Sequence, residues 1–390
     1  MNSPTSNGRK IKASAALLNR ACENAEWFSV LAAEGFGDLN RQCLLIFIAA
    51  SLKCGTPAEM ARALGISTRA FNQAIEVLIS RGYLKLEENP NDSELAVAPT
   101  EFGSTVGSII LLVLGEAAEA GCWADFQFRP GDIVISTPSK SGTTWMQMIC
   151  ALLIFQSPDL PAPLGELSPW LEKEYQSQRD EIYSRLNAQS HRRFIKTHVR
   201  LSRIPVDSRV TYVEVARNPL DAAVSLYFYR VNASKGRTQE DTKRTLNRGP
   251  REWLLDWINS DRRHSNCMHS FIGHISDAWE RRLQPNTVLL HYEDLCTNLE
   301  SQMRLIATRL DISVPDDIWP DLVKAATFEE MRAAADLIQP SERLDDSRAF
   351  FRKGGSGSGS ELLTDTEIAR YHQRVARLAP ADLLAWLHRA

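Results

Sequence analysis

The sequence offers neither a disulfide framework nor a zinc site. Its seven cysteines (Cys22, Cys43, Cys54, Cys122, Cys150, Cys267 and Cys296) are odd in number, scattered and never spaced CxxC, a usage that fits a reducing compartment. Long apolar runs are missing as well. The longest, "CLLIFIAASL" (43–52) and "IILLVL" (109–114), fall far short of the ~20 residues that a membrane-spanning helix needs. The opening "MNSPTSNGRKIKAS" is polar and lacks the apolar core of a signal peptide. Net charge is only −3, so no global basic field points to nucleic acid. No group of His, Cys, Asp and Glu has metal-ligand spacing, and no segment repeats. The expectation is a soluble cytoplasmic protein with no membrane contact and no metal. Its 390 residues, 44% hydrophobic, suffice for one large or two ordinary domains.

Two halves differ in grammar. Residues 1–120 read as helices: "AALLNRACENAEWFSVLAAEG", the buried "RQCLLIFIAASL", "TPAEMARALGIS" stopping at Gly65, and "STRAFNQAIEVLISRGYL", capped by Ser67 or Thr68 and ending near Gly82. Two short strands then flank a turn at Asn89-Pro90-Asn91-Asp92, and a last helix starts near Thr100. That order is a winged helix-turn-helix. From about Phe126 the runs "FRPGDIVIST", "RRFIKTH", "RVTYVEVA" and "NTVLLHYE" are apolar and β-rich, with helices between them. They predict a parallel sheet covered on both faces, an α/β domain over 123–390, with its ligand at the carboxyl ends of the strands.

At one such end stands "STPSKSGTTWMQM". A strand–loop–helix unit leaves backbone N–H groups free at the helix start. Gly142 admits close approach, Ser141, Thr143 and Thr144 add hydroxyls, and Lys140 adds charge, so the unit suits a phosphate or its ester. The bland alternative is a capped helix start with a surface lysine. A Walker A loop is excluded, because Thr137 stands where its first glycine belongs and Thr143 where its lysine belongs. A second strand ends in "VARNPLDAAVS", with Arg217 at the tip and Ser225 two helical turns on; together they can hold a second phosphate. In "FFRKGGSGSGS" (350–360), Arg352 and Lys353 precede a stretch that composition alone would call a linker. "RFIKTH" closes a third strand with Lys196 and His198. The other seven histidines (191, 264, 269, 274, 291, 372 and 388) read as structural.

"KSGTTW", "KTH", "VARNPxDxxVS" and "FFRKGxxG", in this order and with "HYEDL" (291–295) and "TFEEM" (327–331), resemble the cytosolic-type sulfotransferases over about 126–390. Those enzymes use 3′-phosphoadenosine 5′-phosphosulfate (PAPS) as donor and release PAP. The resemblance implies a P-loop-like parallel sheet with helices on both faces. It implies that Lys140, Ser141, Gly142, Thr143 and Thr144 cradle the 5′-phosphosulfate and that Trp145 stacks on adenine. Arg217 and Ser225 would hold the 3′-phosphate, Arg352, Lys353 and Gly354 would form its third wall, and Thr327 and Phe328 would meet the adenine edge. His198 would be the base, near its ordinary pKa of ~6.5, with Lys196 beside it. Lys140 would steady the charge that builds on the bridging oxygen. Pro169-Trp170 resembles an apolar wall of bacterial relatives, and 157–175 and 231–249 are expected to line the acceptor's entrance. The acceptor itself, a small-molecule or carrier-bound hydroxyl or amine, is left open. Ser358-Gly359-Ser360 replaces the family's Asp-Trp-Lys, which predicts a looser loop, and the vertebrate KxxxTVxxxE dimer signature is absent.

Residues ~20–118 resemble the MarR-type winged-helix regulators. The competing reading is therefore a transcription factor whose other half senses PAPS, PAP or a sulfated metabolite. Its recognition helix would carry one cation, Arg69, offset by Glu76, and its Asn72 and Gln73, able in principle to read adenine, are expected instead to be solvated helix residues. The wing sets Glu87, Glu88, Asp92 and Glu94 against Lys85, which repels phosphate. The expectation is a homodimer through the N-terminal domain with no DNA partner.

Overall fold

The computed structural model describes residues 41–51, 57–88, 95–104, 121–233, 248–261, 266–338, 344 and 346–389. The chain divides into two compact units, residues 1–118 with 261–265, and the remainder.

The first unit contains α1 (Arg41–Ser51), α2 (Pro57–Leu64) and α3 (Thr68–Ser80). Gly65 ends α2 at φ +65° and Gly82 follows α3 at φ +73°, the left-handed region where glycine carries no Cβ penalty. Ser67 caps α3, its side chain accepting from the Ala70 N–H. Phe71, Ala74, Ile75 and Leu78 are its buried residues, a stripe at helical spacing that faces a core. Strand β1 (Leu84–Glu88) pairs antiparallel with β2 (Leu95–Pro99), Leu84 opposite Pro99. Residues 101–104 turn helical again. The expected turn at 89–92, the first helix and most of the last lie outside the described residues.

The second unit is built on four parallel strands, β3 (Ile133–Ser136), β4 (Phe194–Thr197), β5 (Thr211–Ala216) and β6 (Thr287–His291), in the order β4-β3-β5-β6. Register sets Ile135 beside Lys196 and Ser136 beside Thr197. The chain leaves β3 to one side and returns on the other, so β3 is the switch point at which such sheets open a crevice. Both faces are covered. Ile133 and Ile135 join one core with Met146, Ile149 and Leu153 of α4 (Thr143–Phe155). Val134 and Ile195 join the opposite core with Trp123 and with Ile182 and Leu186 of α5 (Leu171–Ala188). Alternate residues thus feed opposite cores, which explains why these strands read as unbroken apolar runs. Helix α6 (Pro219–Asn232) follows β5, α7 (Met268–Arg281) precedes β6, and the short α8 (Phe328–Ala333) lies beyond it.

A buried ion pair seats β3 against β4. Arg193 Nε donates to Asp132 Oδ1 at 2.9 Å, Arg193 Nη2 also reaches Oδ2, and the two residues are 1% and 2% exposed. Removing one partner of such a pair strands a buried charge, which costs about 3–5 kcal/mol. Asp132→Ala is expected to lower unfolding stability by that amount in urea titrations. A loss under about 1 kcal/mol would mean that the pair does not hold the strand starts together.

Candidate functional site

The carboxyl ends of β3, β4 and β5 carry three of the four expected loops. After β3, Lys140 takes φ +69° and Gly142 φ +103°, a double left-handed kink that delivers the chain into α4. Gly142 is the N-cap and offers no side-chain cap, so the amide donors of the first turn face the crevice without a local acceptor. Thr137 and Thr143 join hydroxyl to hydroxyl across the kink. Ser141 Oγ is buried without a hydrogen-bond partner among the described residues.

After β5, Arg217 bridges two of the predicted loops. Its Nη1 donates to Lys140 O at 3.2 Å and its Nη2 to Gly355 O at 2.9 Å. The guanidinium lies 4.2 Å above the Tyr292 ring, Arg217 is 8% exposed, and Nε has no partner among the described residues. Ser356 Oγ, next to Gly355, is likewise buried and unpaired. Buried polar atoms without partners are uncommon in native proteins. One of the three is on Arg217, and the other two sit on the residues that follow its carbonyl partners Lys140 and Gly355; together they fit an anion with several acceptor oxygens.

The glycine–serine stretch is no linker. Asp221, 3% exposed on α6, accepts from Gly357 N at 2.9 Å and from Gly359 N at 2.8 Å. A Cβ on Gly354 would fall 2.5 Å from Phe328 Cγ, and one on Gly359 would fall 2.5 Å from Leu220. The expected looseness is corrected accordingly: a carboxylate holds this loop and close packing demands its small residues. Arg352 lies 4.6 Å over the Phe228 ring and donates to Ser358 Oγ at 3.2 Å, while Lys353 pairs with Glu361 at 3.4 Å. Trp145 Nε1 donates to Ala326 O at 2.8 Å, which ties the first loop to the Thr327–Phe328 corner. Thr327 caps α8, and Ser225 is half-buried on α6. Thr144 is buried at the start of α4.

At the tip of β4, His198 Nδ1 stands 2.7 Å from Thr137 O. A carbonyl only accepts, so Nδ1 carries the hydrogen and Nε2 is left as the basic nitrogen. The ring meets Trp170 edge-on, with centroids 4.9 Å apart, and Lys196 Nζ lies 4.9 Å from the same indole. The expectation of an ordinary imidazole fails. Burial first, and then the Lys196 charge, push His198 down to about 3. Lys140 sits 3.6 Å over the Phe350 ring and 4.8 Å over that of Tyr229. Part of the residue meets solvent, yet the dense surroundings of its ammonium, with Arg217 and Lys196, bring it down to about 7. One imidazole nitrogen and three cations thus converge where an anion would neutralise them.

Asp221, Phe350, Tyr229 and Tyr292 escaped the sequence reading. Asp221 was signalled by the fixed Asp of "VARNPxDxxVS", Tyr292 by "HYEDL" and Phe350 by the first phenylalanine of "FFRKGxxG"; nothing local signalled Tyr229. Most of the expected acceptor entrance at 231–249, namely 234–247, lies outside the described residues. Among those described there is no group of three or more metal-ligand side chains and no helix long and apolar enough to cross a membrane.

Residues 130–382 match the family described as the sulfotransferase domain. A glycolipid sulfotransferase of Mycobacterium bovis is 36% identical, over 68% of this chain and 90% of its own. Mouse sulfotransferase 1B1 is 26% identical, over 63% of this chain and 82% of its own. Two solved structures share the fold. A mouse sulfotransferase complexed with PAP has a TM-score of 0.53, with 21% identity and coverage of 69% and 92%. A retinol dehydratase in a complex with retinol and PAP has a TM-score of 0.52, with 20% identity and coverage of 68% and 86%.

The depressed pKa of His198 has a spectroscopic consequence. A group lowered from 6.5 to about 3 stays neutral through pH 5, whereas the unfolded chain binds that proton below about 6.5. Its contribution to stability is complete above about pH 6.5 and declines as pH falls toward 3. Nitrogen-15 spectra at pH 5 should show His198 neutral with hydrogen on Nδ1. An imidazolium at pH 5 would contradict this electrostatic picture.

Proposed function

The chain belongs to the sulfotransferase family, and from that premise we propose that it moves a sulfuryl group from PAPS to a hydroxyl of a sugar-headed lipid. The observation that carries the donor assignment is Arg217, buried between two loops with Nε unpaired and with Ser141 and Ser356 unpaired nearby. Two phosphate esters supply the acceptors that these groups lack. PAP, bound in the two solved structures that share the fold, supports the same donor. The glycolipid acceptor named for the 36% identical relative supports the lipid class.

In this reading Lys140, Ser141, Gly142, Thr143 and Thr144 hold the 5′-phosphosulfate, and Trp145, Thr327 and Phe328 border the adenine. Arg217, Ser225, Arg352, Lys353 and Gly354 hold the 3′-phosphate. His198 Nε2 removes the acceptor's proton as its oxygen attacks sulfur. The new S–O bond forms, the bond from sulfur to the bridging phosphate oxygen breaks in line, and that oxygen keeps the electron pair. Lys140 and Lys196 stabilise it. The donor's negative charge offsets the cations around His198 and raises its basicity when base is needed. Trp170, packed against His198, gives the acceptor an apolar wall.

For the N-terminal unit we propose a winged helix-turn-helix that dimerises the enzyme. Its helix order supports this, and the exposed Arg69 and Glu76 of α3 give no net charge for a DNA face. Light scattering should show a dimer for the full chain, and a gel shift at low salt should show no retardation of DNA. Sequence-selective retardation would reverse this part of the reading.

Three measurements test the chemistry. Mass spectrometry of reactions with PAPS should show sulfated octyl glucoside, formed faster than sulfated 4-nitrophenol; the opposite order would remove the lipid assignment. His198→Ala should cut turnover roughly 10²-fold or more with PAP affinity nearly unchanged. Arg217→Ala should weaken PAP binding by at least ~1.5 kcal/mol in calorimetry, the low end for a hydrogen bond to a charged group. Equal affinity in Arg217→Ala would remove that residue from the phosphate site.

A further inference from the structure

We propose that His274 is a positioning residue for His198, holding in place the backbone on which the imidazole is mounted. The inference rests on His198 being the proton acceptor. Ser136, at the end of β3, is fully buried, and its Oγ donates to Val199 O at 2.7 Å. A hydroxyl has one hydrogen, so toward His274 Nε2, 2.9 Å away, Ser136 can only accept. His274 Nε2 therefore carries hydrogen and donates it. The same nitrogen lies 3.5 Å from Glu214 Oε2. The hydrogen-bonded chain thus runs from α7 (His274) through β3 (Ser136) to the carbonyl of Val199, the residue after His198, with the Glu214 carboxyl of β5 close to its start.

The other side of that residue is held as well. Val199 N donates to Thr197 Oγ1 at 2.9 Å, and the Thr197 hydroxyl donates to the buried Glu172. With Nδ1 of His198 on Thr137 O, the loop bearing the imidazole is fixed at three points. Only the Ser136 link leads to an ionisable pair that the sulfuryl-transfer scheme leaves unused.

A bland core would not contain that pair. Glu214 is fully buried, and neither oxygen has a hydrogen-bond partner among the described residues. Leaving a buried polar group unsatisfied is expensive, and an apolar side chain would fill the space at less cost. Burial and the neighbouring Asp277 push the Glu214 carboxyl well above its usual range. In this proposal His274, read as structural from the sequence, serves the site by holding its backbone. A proton acceptor mispositioned by about 1 Å can lose on the order of 10² in rate, so the expected effect falls on turnover and spares donor affinity.

The test uses the full chain with PAPS and octyl glucoside. His274→Leu should lower kcat by about 10-fold or more, with the KM for PAPS within about 2-fold of wild type. His274→Gln, whose amide can still donate to Ser136, should recover most of kcat. Where His274→Leu does not fold, Ser136→Ala severs the same link and should show the same split. In the His198→Ala background neither change should cause further loss. Nitrogen-15 spectra give a readout independent of acceptor: the His198 Nδ1–H signal should broaden in His274→Leu and persist in His274→Gln. Wild-type kcat and spectra in both His274→Leu and Ser136→Ala, equal damage in the Leu and Gln variants, or added loss in the His198→Ala background would overturn the proposal. Normal turnover in His198→Ala would instead remove the base assignment itself, so the two failures are distinct.

Discussion

The site hangs on one guanidinium. Arg217 donates to the carbonyl of Lys140 in the loop after β3 and to the carbonyl of Gly355 in the loop near the C-terminus, segments separated by more than two hundred residues. It does so from the end of β5 while resting on the Tyr292 ring, which in turn meets Trp145 edge-on with centroids 5.4 Å apart. Two of its N–H groups go to the protein, and Nε remains unpaired and buried. A lysine could not do this, because a point charge lacks the planar fork that reaches two carbonyls and keeps a further donor in reserve.

Concentrating Arg217, Lys140 and Lys196 has an electrostatic consequence that the protein meets with aromatic rings. Ring faces carry negative potential, and Lys140 over Phe350 and Tyr229, Lys196 over Trp170, and Arg217 over Tyr292 each take that partner. A carboxylate there would compete with an anionic ligand for the same cations, whereas a ring lowers the self-repulsion of the cluster and leaves its charge available. The residual repulsion, added to burial, shows in His198 at about 3 and Lys140 at about 7.

The four parallel strands were legible because each is a short apolar run ending at a charged or polar residue, and alternate residues serve opposite cores. The crevice was legible because Lys140, His198 and Arg217 sit at strand ends, where ligands of such sheets bind. What stayed hidden depends on contacts between distant residues. Asp221 finds the glycine loop 136 and 138 residues away. Ser136 and His274 are also 138 apart, and neither lies in a pattern that suggests a partner. The pKa of His198 was misjudged for the same reason: it is fixed by burial and by Lys196, neither of which a strand pattern quantifies.

The stretch Gly354–Ser360 shows how composition can mislead. A run of glycine and serine in solution is flexible because its backbone is solvated and its small side chains restrict nothing. Here the backbone N–H groups of Gly357 and Gly359 are taken by Asp221, the carbonyl of Gly355 is taken by Arg217, and Gly359 packs against Leu220 too closely for any Cβ. The smallness that would loosen a free segment lets this one approach α6 and place its carbonyl on the arginine. Asp221 and Arg217 stand at the two sides of the same helix start, one binding amides and the other a carbonyl. The loop is therefore oriented as well as tethered, so Ser356 Oγ and the flanking Arg352 are carried on a backbone fixed from both ends. These backbone contacts, together with the Arg352–Ser358 and Lys353–Glu361 links, set the loop's position, and Asp221, which holds two of its amides, anchors that wall of the site.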